Sequence, residues 1–111
     1  MVMQESVRRG EVFLVNLSPT RGGEIRKTRP CLVVSPDDLN QHTRTFIVAP
    51  LTTGGFPYPF RVPCQFEGKQ AHIVLDQIRT IDQGRIVRRL GHVASPTLQR
   101  VLTTLQEIFA P

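Results

Sequence analysis

EVFLVNLSPTRGGEIRKTRPCLVVS, residues 11–35, sets a charged stretch between two apolar runs. The first run, EVFLVNL (11–17), alternates closely enough for a strand, with Asn16 polar among apolar neighbours. Ser18-Pro19-Thr20 ends it, since these residues favour a turn over a continued ladder. The second run, RPCLVVS (29–35), is nearly all apolar, as befits a central strand covered on both faces. Between them GGEIRKTRP (22–30) carries two glycines, one carboxylate and the cations Arg26, Lys27 and Arg29. The stretch therefore reads as two strands joined by a flexible basic loop, which finishes on Arg-Pro just where the second strand begins.

Working outward, Ser35-Pro36-Asp37-Asp38 has the order of a helix start, with Ser35 as N-cap and Pro36 at the first helical position. Only a turn or so fits before RTFIVAPL (44–51), which reads as a strand. TTGGFPYP (52–59) is a loop by its glycines and prolines. FRVPCQF (60–66) alternates, and Pro63 within it points to an edge position or a bulge. Glu67-Gly68-Lys69 suits a hairpin turn. AHIVLDQIRTI (71–81) is expected as one strand, closed by Asp82-Gln83-Gly84, and IVRRLGHV (86–93) as a shorter one interrupted by Gly91. In the tail, Ser95-Pro96 repeats the cap-then-proline start. Leu98, Val101, Leu102, Leu105, Ile108 and Phe109 then recur at helical spacing over about three to four turns. Residues 1–9 read as a polar leader and 10–111 as a single domain. The expected class is mainly β: about five or six short strands in a small curled sheet or partly closed barrel, with a short internal helix and a C-terminal amphipathic helix.

Composition narrows the partners. A chain of 111 residues has room for one ordinary domain. Its formal charge of +5 biases it toward a polyanion or an acidic partner, because a basic surface gathers phosphates and carboxylates. Cys31 and Cys64 form no CxxC pair and no Cys/His cluster, so no zinc site, and no metal or cofactor, is expected. Neither a signal-peptide pattern nor a span of ~20 apolar residues is present, and the expected setting is the cytoplasm with reduced thiols.

Four groups of polar residues fall at strand ends or loops. Glu24, Arg26, Lys27 and Arg29 line the first loop; Pro30 holds Arg29 extended, and a guanidinium on a stiffened strand edge suits a phosphate, although a solvated charged loop would look the same. Thr52 and Thr53 with the two following glycines offer hydroxyls and N–H groups for a phosphate oxygen, or simply a glycine turn. Asp76, Gln77 and Arg79 interrupt an apolar strand, where an aspartate needs a partner; it reads equally as a structural acceptor for loop N–H groups or as part of a binding surface. His42, His72 and His92 share no ligand spacing and read as surface or packing residues. Phe56 and Tyr58 in the glycine-proline loop could stack on a base.

In order, RGEVFLVNLSPTRGGEIRKTRPCLVVS, APLTT and LDQIRTID resemble the MazF/PemK/Kid family of toxin endoribonucleases, over about residues 9–109. The resemblance implies a small SH3-like (CcdB/PemK-type) barrel with a C-terminal helix, assembled as a homodimer. It implies metal-independent cleavage of single-stranded RNA by the RNA's own 2′-OH, giving a 2′,3′-cyclic phosphate and a 5′-OH end. It also implies a cognate MazE-like antitoxin with an acidic C-terminal segment. By motif, Arg29 is the phosphate-stabilising cation, with the acid role also open to it, Thr52 binds the same phosphate, and Glu24 is a base or an orienter of Arg29. Arg26, Lys27, Thr53, Asp76, Gln77 and Arg79 are expected to bind RNA; Asp76 matches the family pattern, with catalysis, base recognition and holding the site together all open as its role. Some relatives have a histidine where Gly23 stands here, and an arginine where Val74 stands, so acid–base roles built on those are not transferred. The alternatives are a non-catalytic inhibitor of the gyrase-poisoning CcdB kind and a small-barrel RNA-binding module.

Overall fold

The computed structural model describes residues 6–54 and 58–111. Among these the chain forms β1 (Glu11–Asn16), β2 (Thr28–Val33), α1 (Asp37–His42), β3 (Thr45–Thr53), β4 (Arg61–Phe66), β5 (Lys69–Val74), β6 (Arg79–Asp82), β7 (Ile86–His92) and α2 (Ser95–Ile108). Short 3-10 turns, Leu75–Gln77 and Gln83–Arg85, precede β6 and β7. The strands pair antiparallel in the order β4-β5-β3-β2-β1-β7, with β6 laid beside the start of β3. The mainly β class, the short internal helix and the C-terminal helix are thus as expected.

β3 organises the sheet. Its first part pairs with β6, its middle with β2 and its last three residues with β5. The sheet turns about this strand and encloses apolar residues on both faces. Leu32 and Val34 join one cluster with Val12, Ala49, Leu51, Val62 and Ile73; Cys31 and Val33 join another with Phe13, Val15, Phe46, Val48 and Ile81. That is why residues 31–34 read as an unbroken apolar run: successive side chains enter opposite cores. α2 covers the first cluster with fully buried Val101 and partly buried Leu98, Leu105 and Ile108. Each fully buried aliphatic side chain contributes roughly 1.5–3 kcal/mol.

The expected single strand over 71–81 is corrected. It breaks at the 3-10 turn Leu75–Gln77, which raises the strand total among the described residues to seven. The break lets Leu75 enter the core while Asp76 and Gln77 both leave it; an unbroken strand would alternate them. The helix starts are also shifted by one residue. Pro36 and Ala94 occupy the cap positions, without a side-chain cap bond. Ser35 is instead buried: its Oγ donates to Asn40 Oδ1 (2.6 Å) and accepts from Ile47 N (3.0 Å), tying α1 to β3. Pro63 does sit on an edge strand, β4. Glu67 (φ 53°) and Gly68 (φ 76°) form the two-residue turn between β4 and β5, both left-handed as the sheet's twist requires. In the expected leader, residues 1–5 lie outside the described residues. Val7 is buried in the second cluster, and Arg9 Nε donates to Val34 O at 2.9 Å.

Candidate functional site

The basic loop is held at its base, its tip and its flank. At the base, Leu17 N donates to Lys27 O (3.0 Å) and Lys27 N to Ser18 Oγ (3.1 Å), with Lys27 left-handed at φ 72°. At the tip, Glu24 N donates to Arg21 O (3.0 Å) while Glu24 Oε1 accepts from Arg21 N (2.7 Å), closing one tight turn. On the flank, Ile25 packs on the second apolar cluster, and its N–H donates to Gln77 Oε1 at 2.8 Å. Gln77 Nε2 returns a long 3.4 Å bond to Gly23 O. The 3-10 turn is therefore what anchors the loop, and Gln77 faces loop backbone in this structure.

Arg29, half-buried near the start of β2, donates through Nε to Arg26 O at 3.3 Å. β2 pairs with β3 as Cys31↔Pro50 and Leu32↔Ala49; continuing that register by two residues sets Arg29 against Thr52. Both line one cavity of about 150 Å³, with Pro30, Leu51, Thr53, Phe66, Glu67, Lys69 and Ala71. Next to it along β3, Pro50 floors a wider cavity of about 580 Å³ walled by Glu24, Ile25, Asp76, Gln77 and Arg79. The chain thus brings Arg29 to Thr52 and Thr53, and Glu24 to Asp76, Gln77 and Arg79, in two neighbouring cavities. Arg26 and Lys27 are exposed on the loop.

Asp76 is gripped by Arg61, with Nε–Oδ1 at 3.1 Å and Nη2–Oδ2 at 3.2 Å. That fork of hydrogen bonds holds the Asp76 carboxyl below its ordinary range and raises the guanidinium above its own. Arg61 also stacks over the Tyr58 ring at 4.8 Å. The partner of Asp76 is thus a side chain that sequence reasoning did not single out, whereas the loop N–H of Ile25 is taken by Gln77. An aspartate bounded by apolar residues called for a cation, yet only the β4–β5 pairing reveals that Arg61 lies within reach. Arg79 Nη1 donates to Leu17 O (3.0 Å), and Arg85 Nη1 to Asn16 O (3.0 Å) and Ser18 O (2.7 Å). These two arginines fasten the end of β1 beneath the loop; Arg85 was likewise not foreseen. Burial pushes the Cys31 thiol up to about 12 and raises that of Cys64, so neither is suited to act as a nucleophile. Phe56 lies outside the described residues.

The arrangement presents cations, hydroxyls and loop N–H groups around two shallow cavities, which suits the phosphates of an extended anionic chain. Known proteins resemble the chain in sequence and fold. Residues 8–109 match the model of a family described as PemK-like, MazF-like toxin of type II toxin–antitoxin system. The chain is 32% identical over 103 residues to endoribonuclease MazF of Staphylococcus saprophyticus, spanning 86% of this chain and 84% of that protein. The solved structure of MazF from Deinococcus radiodurans superposes with a TM-score of 0.84 at 26% identity, over 95% of this chain and 97% of that one. An endoribonuclease from a mycobacterial species, solved in complex with its cognate antitoxin, gives a TM-score of 0.79 at 24% identity over 95% and 97%, a likeness of fold.

Fold and site together define a small antiparallel β domain with a basic loop beside a strand-end cavity lined by Arg29, Thr52 and Thr53. The chain belongs to the PemK-like, MazF-like toxin family of type II toxin–antitoxin systems.

Proposed function

We propose that this MazF/PemK-type toxin endoribonuclease cuts single-stranded RNA at a short preferred sequence, without a metal ion, by attack of the RNA's own 2′-OH on the adjacent phosphate. The attack displaces the 5′ oxygen, which takes a proton from water, and leaves a 2′,3′-cyclic phosphate and a 5′-OH end. Such a reaction needs a base for the 2′-OH, positive charge for the pentacoordinate phosphorus and a hydrogen-bond donor near the leaving oxygen. Arg29 supplies the charge, and its guanidinium stays protonated through the reaction. Thr52 donates to the same phosphate. Glu24 takes the 2′-OH proton, exchanging the Arg21 amide for substrate when RNA enters; Arg26, Lys27, Thr53 and Arg79 hold flanking phosphates.

The single observation that carries the reading is the juxtaposition of Arg29 and Thr52 across β2 and β3 in one cavity beside the basic loop. The basic surface that takes RNA also suits an acidic antitoxin segment, so RNA and antitoxin compete for it; a homodimer in the cytoplasm is the proposed working state. The test is incubation of purified protein with a long transcript in EDTA, followed by mapping of the ends. Cyclic-phosphate termini at one short motif, lost in Arg29→Ala and strongly reduced in Thr52→Ala and Glu24→Gln, support the mechanism. Full activity in folded Arg29→Ala, or a strict need for a divalent ion, rejects it. DNA gyrase inhibition without RNA cuts would favour the CcdB-like alternative.

A further inference from the structure

Thr52 has a neighbour on each side. On β5 its Cα partner is His72, and on β2 the continued register brings Arg29. Residues directly opposite in an antiparallel pair carry their side chains on the same face, with Cβ atoms about 4.5–5.5 Å apart. By register, Arg29, Thr52 and His72 thus fall in one row across three strands, with His72 outside the lining of the 150 Å³ cavity. Pro63, the partner of His72 on edge strand β4, ends the row.

His72 is half-buried, and its Nδ1 is the buried side-chain nitrogen or oxygen that lacks a hydrogen-bond partner among the described residues. The other histidines differ: Nδ1 lies 2.6 Å from Asp38 O in His42 and 3.3 Å from Val93 O in His92. Orphaned buried polar atoms are rare in folded chains, and each calls for an explanation. A buried N–H without an acceptor is rarer than a bare acceptor. The ring's hydrogen therefore belongs on Nε2, which makes that nitrogen a donor.

We propose that His72 is a third catalytic residue of the cleavage centre, its Nε2–H donating to a non-bridging oxygen of the scissile phosphate beside Thr52 and Arg29. The inference rests on the RNA-cleaving reading above. No proton is transferred in this role. The hydrogen bond strengthens as negative charge gathers on the non-bridging oxygens of the pentacoordinate phosphorus, and relaxes when the P–O5′ bond breaks. Arg29 brings charge, Thr52 a rotatable hydroxyl, and His72 a donor fixed in the plane of a ring seated on β5.

The experiment is single-turnover cleavage of a short RNA containing the site mapped from the wild-type cuts. Its scissile phosphate is either normal or one of the two phosphorothioate diastereomers. His72→Val removes the donor with a residue that suits a strand, and is expected to slow cleavage about 100- to 1,000-fold. Its thermal midpoint and its affinity for the uncleavable 2′-O-methyl RNA should stay near wild type. His72→Gln, which keeps an N–H near the same place, should recover most of the rate. The diastereomer that wild type cuts more slowly should lose that handicap in His72→Val, since the bond is already gone. Wild-type rates in His72→Val, or an equal slowing of all three substrates with no recovery in His72→Gln, would overturn the inference and leave the ribonuclease reading intact. A wild-type protein that cuts no RNA would sink both.

Discussion

Gln77→Ala isolates the tether between the 3-10 turn and the basic loop. The substitution removes the 2.8 Å bond from Ile25 N and the 3.4 Å bond to Gly23 O. The second is long and exposed, and contributes close to nothing. The first is short and partly buried; its loss costs about 1 kcal/mol, and leaving the Ile25 N–H without an acceptor adds up to about another. For a domain of this length, about 1–2 kcal/mol lowers the thermal midpoint by roughly 4–8 °C. The loop should loosen without detaching, because Ile25 still packs on the second cluster and Leu17 N still meets Lys27 O. Amide hydrogen exchange reads this directly: in wild type the Ile25 amide is protected, and in Gln77→Ala it exchanges much faster while the Leu17 amide is unchanged. RNA cleavage should fall with it, because Glu24 and Arg26 ride on the same loop. Equal protection of Ile25 in both proteins would refute the claim that Gln77 holds the loop.

Three further outcomes are expected. Cys31, fully buried with its thiol pushed to about 12, should resist alkylation by iodoacetamide at neutral pH in the native protein and react once unfolded; prompt labelling of the folded chain would contradict that environment. Arg61 lowers the folded-state pKa of Asp76, so the stabilisation is present above the ordinary carboxylate value of about 4 and is lost as pH falls below it. Because Asp76 is nearly half exposed the effect is at most about 1 kcal/mol, and urea unfolding should show wild type ahead of Asp76→Asn at pH 7 with the gap closing near pH 3. A gap that widens on acidification would have the wrong sign. Leu32→Ala, in the first cluster, should cost about 2–5 kcal/mol by denaturant titration without changing which bonds form around the loop.

The fold was legible wherever hydrophobic period and turn residues agreed. Residues 29–35 announced a central strand, Pro63 an edge or a bulge, and the apolar spacing of the tail a helix on an apolar face. What escaped was decided by tertiary partners. The break at Leu75–Gln77 depends on Arg61 and on the loop backbone, both remote in sequence, so local pattern favoured an unbroken strand. Ser35 looked like a cap because nothing local shows that Asn40 and Ile47 N would claim its hydroxyl. In the site, motif order brought Arg29 and Thr52 to notice, while the pairing of His72 with Thr52 exists only once β5 has found β3.

β3 belongs to both halves of the molecule: its odd-numbered residues Ala49 and Leu51 serve one core and Phe46 and Val48 the other. Neither half can therefore melt alone, since releasing β5 or β6 strips hydrogen bonds from the strand on which the remaining ladder is built. Chemical and thermal denaturation should each trace one all-or-none transition. A lesion far from the cavities should then be felt in the alignment of Thr52 with its cross-strand neighbours, because the same strand carries both.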